Sequence, residues 1–214
     1  AQDHKRIFDD DKGPNTGGMG AYCPSPILSE KLMLEIENNI IQPTIDGMKN
    51  DSYPYKGFLY IGLMIVNNKP FVIEFNVRMG DPETQVVLPM LNCSLFDLLY
   101  NFSESKNVLI KEGYMVVIVL SANGYPGNYD KGILIHGIDK IDSSMIFHAG
   151  TKIDNDKYYT NGGRVINVLG YGETLDIAID NAYRNVSLID FEGMFFRKDI
   201  GQNGLKYFKG CKND

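Results

Sequence analysis

Glu74, Asn76 and Arg78 stand two apart in the run Val72-Ile73-Glu74-Phe75-Asn76-Val77-Arg78-Met79-Gly80-Asp81-Pro82-Glu83-Thr84-Gln85. Alternation of polar and apolar residues is the period of a strand, and side chains two apart on a strand share a face. The spacing therefore predicts a carboxylate, an amide and a guanidinium in one row, with Ile73, Phe75 and Val77 on the other, buried side. Two chemistries fit such a row. One is a solvated strand face on which Glu74 and Arg78 simply pair, as on any half-exposed strand. The other is a magnesium–phosphate site. Hard Mg²⁺ takes oxygen ligands, commonly one or two from protein with phosphates beside them, and Arg forks onto phosphate or carboxylate. Gly80-Asp81-Pro82 is a turn signal, and Pro82 suits the first position of a helix. Strand, polar row, turn and helix start thus follow directly on one another, which shifts the balance toward the second reading.

The stretch from Glu74 to Gln85 resembles the signature of glycinamide ribonucleotide synthetases, ATP-grasp ligases of purine synthesis. Gln2-Asp3-His4-Lys5-Arg6, then Gly13-Pro14-Asn15-Thr16-Gly17-Gly18-Met19-Gly20-Ala21-Tyr22, resembles a second motif of that family. Phe147-His148-Ala149-Gly150-Thr151-Lys152, Asn161-Gly162-Gly163-Arg164-Val165 and Arg197-Lys198-Asp199-Ile200-Gly201 continue in the family's order. Met79 departs from the family's usual Leu or Phe, an apolar exchange that touches no catalytic group.

The resemblance implies an α+β fold: part of an ATP-grasp domain (antiparallel sheet with helices) over residues 1–105, followed by a small α+β C-terminal domain over 106–214. The family also has an N-terminal domain and an adenine-binding lobe, which these residues do not match, so the 214 residues alone are expected to be inactive. The implied reaction is ATP-dependent ligation of glycine to phosphoribosylamine through glycyl phosphate. In it Glu74 and Asn76 hold Mg²⁺ or Mn²⁺, Arg78 stabilises charge on the transferred phosphoryl, and Gly80 and Asp81 sit beside glycine or the amine. Leu63 or Met64 floors the adenine pocket, against the plain core role that the apolar run itself suggests for both; Lys5 and His4 reach the ligand, and Gly17 and Gly18 lie near phosphates and substrates. Asn161 and Arg164 close over the ribose phosphate. Many ATP-grasp proteins carry a second acidic metal ligand on the preceding strand, but none stands around Gly62, which leaves Glu74 and Asn76 with the whole protein share. The implied partners are small molecules, with no nucleic acid and no membrane, and the implied location is cytoplasmic. Two rivals stand beside this reading: an ATP-grasp carboxylate–amine ligase for another substrate, and a non-catalytic piece.

Composition bounds the reading. At 214 residues and 43% hydrophobic the chain can bury a core of one or two domains. A net charge of −6 without a Lys/Arg-dense run argues against a nucleic-acid surface. Three cysteines without ligand spacing exclude a disulfide framework or a cysteine zinc site. No apolar run approaches the ~20 residues of a membrane span.

These residues need elements to position them. The segment up to Pro26, rich in Gly, Asp and Pro, reads as a long loop whose Gly17-Gly18-Met19-Gly20 amides could approach an anion. Ser29 caps a helix with Leu32, Ile36 and Ile40 on its apolar face, and Pro43 should kink or end it. The apolar run from Gly57 to Val66 and the strand with Glu74 are predicted to form an antiparallel hairpin through Asn67-Asn68-Lys69-Pro70. Residues 83–100 read as helix, interrupted at Pro89 and restarted at Ser94, and the polar stretch 103–107 as a boundary. Strands are predicted at 114–120, 132–136, 145–148 and 164–169, then a helix capped by Thr174 with Leu175, Ile179, Ala182 and Val186 on its face. His136 and His148, lacking an acid or nucleophile partner in sequence, read as structural.

Overall fold

The computed structural model describes residues 1–100 and 108–210, a mixture of helices and antiparallel strands of the expected α+β class. Strands β1 (Gln2–Asp3), β2 (Arg6–Phe8), β3 (Lys12–Asn15) and β4 (Gly20–Cys23) come first. Helices α1 (Glu30–Ile36) and α2 (Gln42–Asn50) and strands β5 (Tyr60–Val66) and β6 (Lys69–Asn76) follow. Next are helices α3 (Thr84–Val87) and α4 (Leu95–Tyr100), and strands β7 (Tyr114–Ser121), β8 (Ile146–His148), β9 (Thr151–Asp154), β10 (Lys157–Thr160) and β11 (Arg164–Gly172). Helices α5 (Leu175–Val186) and α6 (Gln202–Gly210) close the order. The chain forms two compact units, Pro26–Gly80 on one hand and Ala1–Ser25 with Asp81–Asp214 on the other. The boundary expected at 103–107 lies outside the described residues.

The larger unit is built on a five-stranded antiparallel sheet in the order β1-β4-β7-β11-β8. Along β7, Val116, Ile118 and Leu120 join a core with Leu175, Ala178, Ile179 and Ala182 of α5. Met115 and Val117 join a second cluster with Ala21, Val86, Met90 and Leu169. Both faces are covered, which is why the strand is a continuous apolar run rather than an alternating one. Gly170 brings α5 close to β11, since a Cβ there would lie 2.1 Å from the Ala182 nitrogen. Thr174 stands at the N-cap of α5 as expected, but its side chain makes no capping bond.

Two expectations need correction in this unit. The segment before Pro26 is no loop: β1 and β4 are strands of the sheet and β2 pairs β3. Its partner β7 lies far along the chain, so no local period announced it, yet Ile7, Met19, Ala21 and Tyr22 are buried. The strand expected at 132–136 is reduced to isolated bridges, Leu134 with Tyr159 and His136 with Asp190. Unforeseen instead are the β9–β10 hairpin, turning through Asn155 and Asp156 at φ 48° and 58°, and helix α6. Residues 83–100 do break at a 3-10 turn, Leu88–Met90, and restart after Ser94, whose Oγ accepts from the Asp97 amide at 3.2 Å.

In the smaller unit Ser29 Oγ accepts from the Leu32 amide at 3.2 Å, and Leu32 and Ile36 are buried. Pro43 does not end the helix. A π-helical stretch, Glu37–Ile41, precedes α2, and Pro43 falls in the first turn of α2. The wider turn leaves room where the proline ring would otherwise meet the preceding carbonyl. β5 and β6 form the predicted hairpin, turning through Asn67 and Asn68 at φ 50° and 58°. The buried face predicted for Ile73, Phe75 and Val77 is absent: they are 59%, 48% and 77% exposed. A two-stranded sheet with one short helix against β6 offers too little cover.

Candidate functional site

In the Pro26–Gly80 unit, Glu74 and Asn76 sit two apart on β6, facing Gly62 and Tyr60 in the β5 register. Glu74 lies over Gly62, where a Cβ would come within 2.9 Å of its Cγ. A second acid at 62 would therefore push Glu74 aside, so the missing side chain and the placed carboxylate go together. Arg78 is not in the row. The strand ends at Asn76, and the Arg78 guanidinium turns to donate to the Met79 carbonyl at 2.9 Å. The donor pair is one carboxylate and one amide oxygen, and among the described residues no three His, Cys, Asp or Glu gather as a metal cage. Hard oxygen donors, few in number, fit a divalent cation whose shell phosphates complete, and not a zinc centre. Leu63 is half-buried and Met64 is 53% exposed, so neither is plain core. Gly80 is buried at the end of this unit.

Within the larger unit a junction gathers Gly17, Gly18, Asp81 and Arg164. Arg164 Nη1 donates to the carbonyls of Gly17 and Asp81, each at 2.9 Å, and Nη2 to Asp81 Oδ2 at 2.8 Å. Gln85 Nε2 donates to Asp81 Oδ1 at 2.9 Å, so both carboxylate oxygens are oriented. Gly18 has φ +116°, and a Cβ there would strike Pro82 Cδ at 2.3 Å. Only glycine lets this turn close on the Asp81-Pro82 corner.

The glycine amides do not form the anion cradle that the sequence suggests. Gly17 N donates to Tyr125 Oη at 2.9 Å, Gly18 N to Thr16 Oγ1 at 2.9 Å, and Met19 N to the His4 carbonyl at 2.8 Å. His4 is likewise no ligand contact. Its ring is 2% exposed, against Tyr22 at 6.0 Å, and neither ring nitrogen has a hydrogen-bond partner. Burial, reinforced by the Arg197 cation, pushes its pKa down to about 4. Lys5 stays exposed, with Asp3 at 3.9 Å, and its carbonyl accepts from Thr16. Asn161 is exposed, its amide bonded to the Gly150 carbonyl.

Sequence reasoning missed what anchors the first segment. Arg197 is fully buried, donates to both Asp199 oxygens at 2.7 Å, and reaches Asp11 Oδ1 at 2.8 Å and the Arg6 carbonyl at 3.1 Å. Asp199 Oδ2 accepts from the Asp10 amide, and Asp9 Oδ1 from the Lys198 amide. Burial pushes the Asp199 carboxyl up, but these charge-assisted bonds outweigh it and hold it at about 2. The acidic triplet 9–11 was the available signal, matched to a buried arginine only by the fold. His148 stacks on Tyr158 with centroids 4.7 Å apart and bonds Thr151 Oγ1 through Nδ1, a structural environment that lowers its pKa by burial.

Comparison with known proteins bears on both places. The profile of the phosphoribosylglycinamide synthetase ATP-grasp (A) domain matches residues 1–84, and that of the phosphoribosylglycinamide synthetase C domain matches residues 115–203. A phosphoribosylamine–glycine ligase of Chlorobaculum tepidum is 45% identical over 96% of this chain and 50% of its own length. A bifunctional purine biosynthetic protein of Schizosaccharomyces pombe is 46% identical over 96% of this chain and 27% of its own. The crystal structure of phosphoribosylamine–glycine ligase from Thermotoga maritima superposes with TM-score 0.81 at 36% identity, covering 92% of this chain and 50% of that one. A biotin carboxylase domain from Hydrogenobacter thermophilus, solved with MgADP and bicarbonate, shares the fold at TM-score 0.56 and 10% identity. The chain thus spans half, or less, of the length of the relatives it matches.

Proposed function

Because the chain belongs to the phosphoribosylglycinamide synthetase family, an ATP-grasp family, we propose that it contributes the metal-holding and substrate-holding residues of a ligase that joins glycine to phosphoribosylamine. The observation that carries this reading is the pairing of two profiles of one family, in order, with polar groups gathered at 74–76 and around Asp81. In the reaction the γ-phosphoryl of ATP passes to the glycine carboxylate, giving glycyl phosphate and ADP. The phosphoribosylamine nitrogen then attacks the acyl carbon and phosphate leaves, giving glycinamide ribonucleotide.

Glu74 and Asn76 would hold Mg²⁺ or Mn²⁺, which when bound supplies charge neutralisation between the ATP phosphates. Arg78, in the bend just beyond, stabilises charge on the phosphoryl in flight. Leu63 and Met64 offer an apolar, partly exposed surface to adenine, and Lys5 an exposed cation to the phosphates. Gly80 and Asp81 flank glycine and the incoming amine, the carboxylate kept in one orientation by Gln85 and Arg164. Gly17 and Gly18 serve by close approach of a bare backbone, since their amides are engaged elsewhere. Asn161 and Arg164 meet the ribose phosphate. Arg164 has five N–H donors and places three bonds on Gly17 and Asp81, which leaves Nε and one Nη2 hydrogen for an oxyanion. The reading makes this a cytoplasmic protein of small-molecule partners. The net charge of −6 and a described structure without a helix long and apolar enough to cross a membrane accord with it.

Phosphate release measured with and without glycine and phosphoribosylamine tests the proposal on the protein at its full natural length. Release dependent on both substrates is expected, and the 214 residues alone should give none. Release that ignores glycine and follows another carboxylate would move the assignment to a different ATP-grasp ligase. No release with any carboxylate would make the chain non-catalytic.

A further inference from the structure

Tyr125 has no place in the reaction described above, yet its hydroxyl accepts the amide of Gly17 at 2.9 Å across 108 positions of sequence. The carbonyl of the same glycine accepts from Arg164 Nη1, also at 2.9 Å. Gly17 is therefore gripped on both its polar groups by side chains from two different segments. The grip is rigid. The Tyr125 ring lies on Gly163, where a Cβ would strike Cδ2 at 2.2 Å, so the ring packs against the backbone next to Arg164. Tyr129 packs edge-on to Tyr125 with centroids 6.4 Å apart, and the Ala122 amide donates to the Gly163 carbonyl at 2.8 Å. Beyond Gly17 the contact continues through Gly18 to Pro82 and through Arg164 to both the carbonyl and the carboxylate of Asp81. Gly17 has no room for a side chain here either, since a Cβ would sit 2.9 Å from Arg164 Cζ.

We propose that Tyr125 is a positioning residue of the ligase: by holding the Gly17 amide it fixes the glycine turn, and through Arg164 the Asp81 carboxylate, in the geometry that receives glycine and phosphoribosylamine. The inference rests on the reading of Gly17, Gly18 and Asp81 as substrate contacts. Tyr22 and Tyr183 also place their hydroxyls on other segments, but on Gln2, Arg197 and Ile200, away from the Gly17–Asp81 junction. Tyr125 reaches the segment that the substrate is to meet, and it also removes the amide that would compete for a substrate oxyanion. Positioning of this kind matters because displacements of about 1 Å are enough to lower rates strongly.

Tyr125→Phe keeps the ring on Gly163 and removes only the acceptor, so it is made in the protein at its full natural length. Two readouts are taken: hydrogen exchange at the Gly17 amide, and steady-state constants for each substrate. The expected result is faster exchange at Gly17. With it should come a loss of about fivefold in kcat/KM for glycine and phosphoribosylamine, the scale of one neutral hydrogen bond. KM for ATP should be unchanged, and the thermal melt should fall by no more than the loss of one neutral hydrogen bond. Gly17→Ala, which displaces Arg164, should combine non-additively with Tyr125→Phe, as residues sharing one contact do. Unchanged exchange overturns the grip. Faster exchange with unaltered kinetics overturns the positioning role while leaving the ligase reading intact. A wild-type protein without glycine-dependent phosphate release overturns the ligase reading itself, whatever the exchange shows, and the positioning role with it.

Discussion

Strand β7 buries every residue from Met115 to Ser121, whereas β6 leaves Phe71, Val72, Ile73 and Phe75 between 41% and 59% exposed. Both are runs of large apolar residues in antiparallel pairs. The difference is cover: β7 lies between α5 on one face and the Val86–Met90 cluster on the other, while β6 belongs to a sheet of two strands. Where apolar residues are layered they hold the fold, and polar groups near them are tied to protein, as Arg164, Asp81 and Arg197 are. On the open hairpin the same residue types carry little of the stability, and Glu74 and Asn76 can be changed without opening a hole. Exposed apolar surface of this extent marks a place that something else covers.

Paired truncations put the largest stress on that contrast. Ile118→Ala should cost about 4 kcal/mol of unfolding free energy, the range for emptying a packed site, and Ile73→Ala within about 0.5 kcal/mol. Denaturant melts of the two variants measure this directly, and equal losses would erase the distinction between the units.

A second effect belongs to the layered unit alone. His4 is buried neutral, with its pKa lowered from 6.5 to about 4. The unfolded chain binds a proton that the folded one refuses, so its contribution is fully present above pH 6.5 and is lost as pH falls toward 4. It should amount to about 3 kcal/mol across that window. His4→Leu should flatten the stability–pH curve there. A curve as steep as that of the wild type would place the acid sensitivity elsewhere.

The third lies just past the hairpin. Arg78→Lys keeps the charge and loses the fork, so turnover should fall by ~10²-fold, the scale of one transition-state charge contact, with little change in the melt. Near-normal turnover would leave Arg78 as a partner of backbone only.

The contrast also separates what could be read in sequence from what could not. Helix starts at Ser29, Ser94 and Thr174, the β5–β6 hairpin and the strands β7 and β11 carry their signals locally, in caps, turns and periods, and all are present. The first segment failed because glycine-rich strands of two to four residues show no period, and β4 takes its meaning from β7. The site divided in the same way. Glu74 and Asn76 share a face because two-residue spacing on a strand ensures it. The gathering of Asp81 with Arg164 and Gly17 depends on three distant segments, Arg197 showed only as part of a tail motif, and nothing in the sequence singled out Tyr125.

Metal titration of Glu74→Gln by calorimetry, alongside its thermal melt, tests the division of roles most directly, in the protein at its full natural length. Glu74 extends over Gly62 on an exposed strand, so its replacement should weaken Mg²⁺ binding and leave the melt where it was. Unchanged Mg²⁺ affinity, or a melt lowered as far as that of Ile118→Ala, would contradict the account.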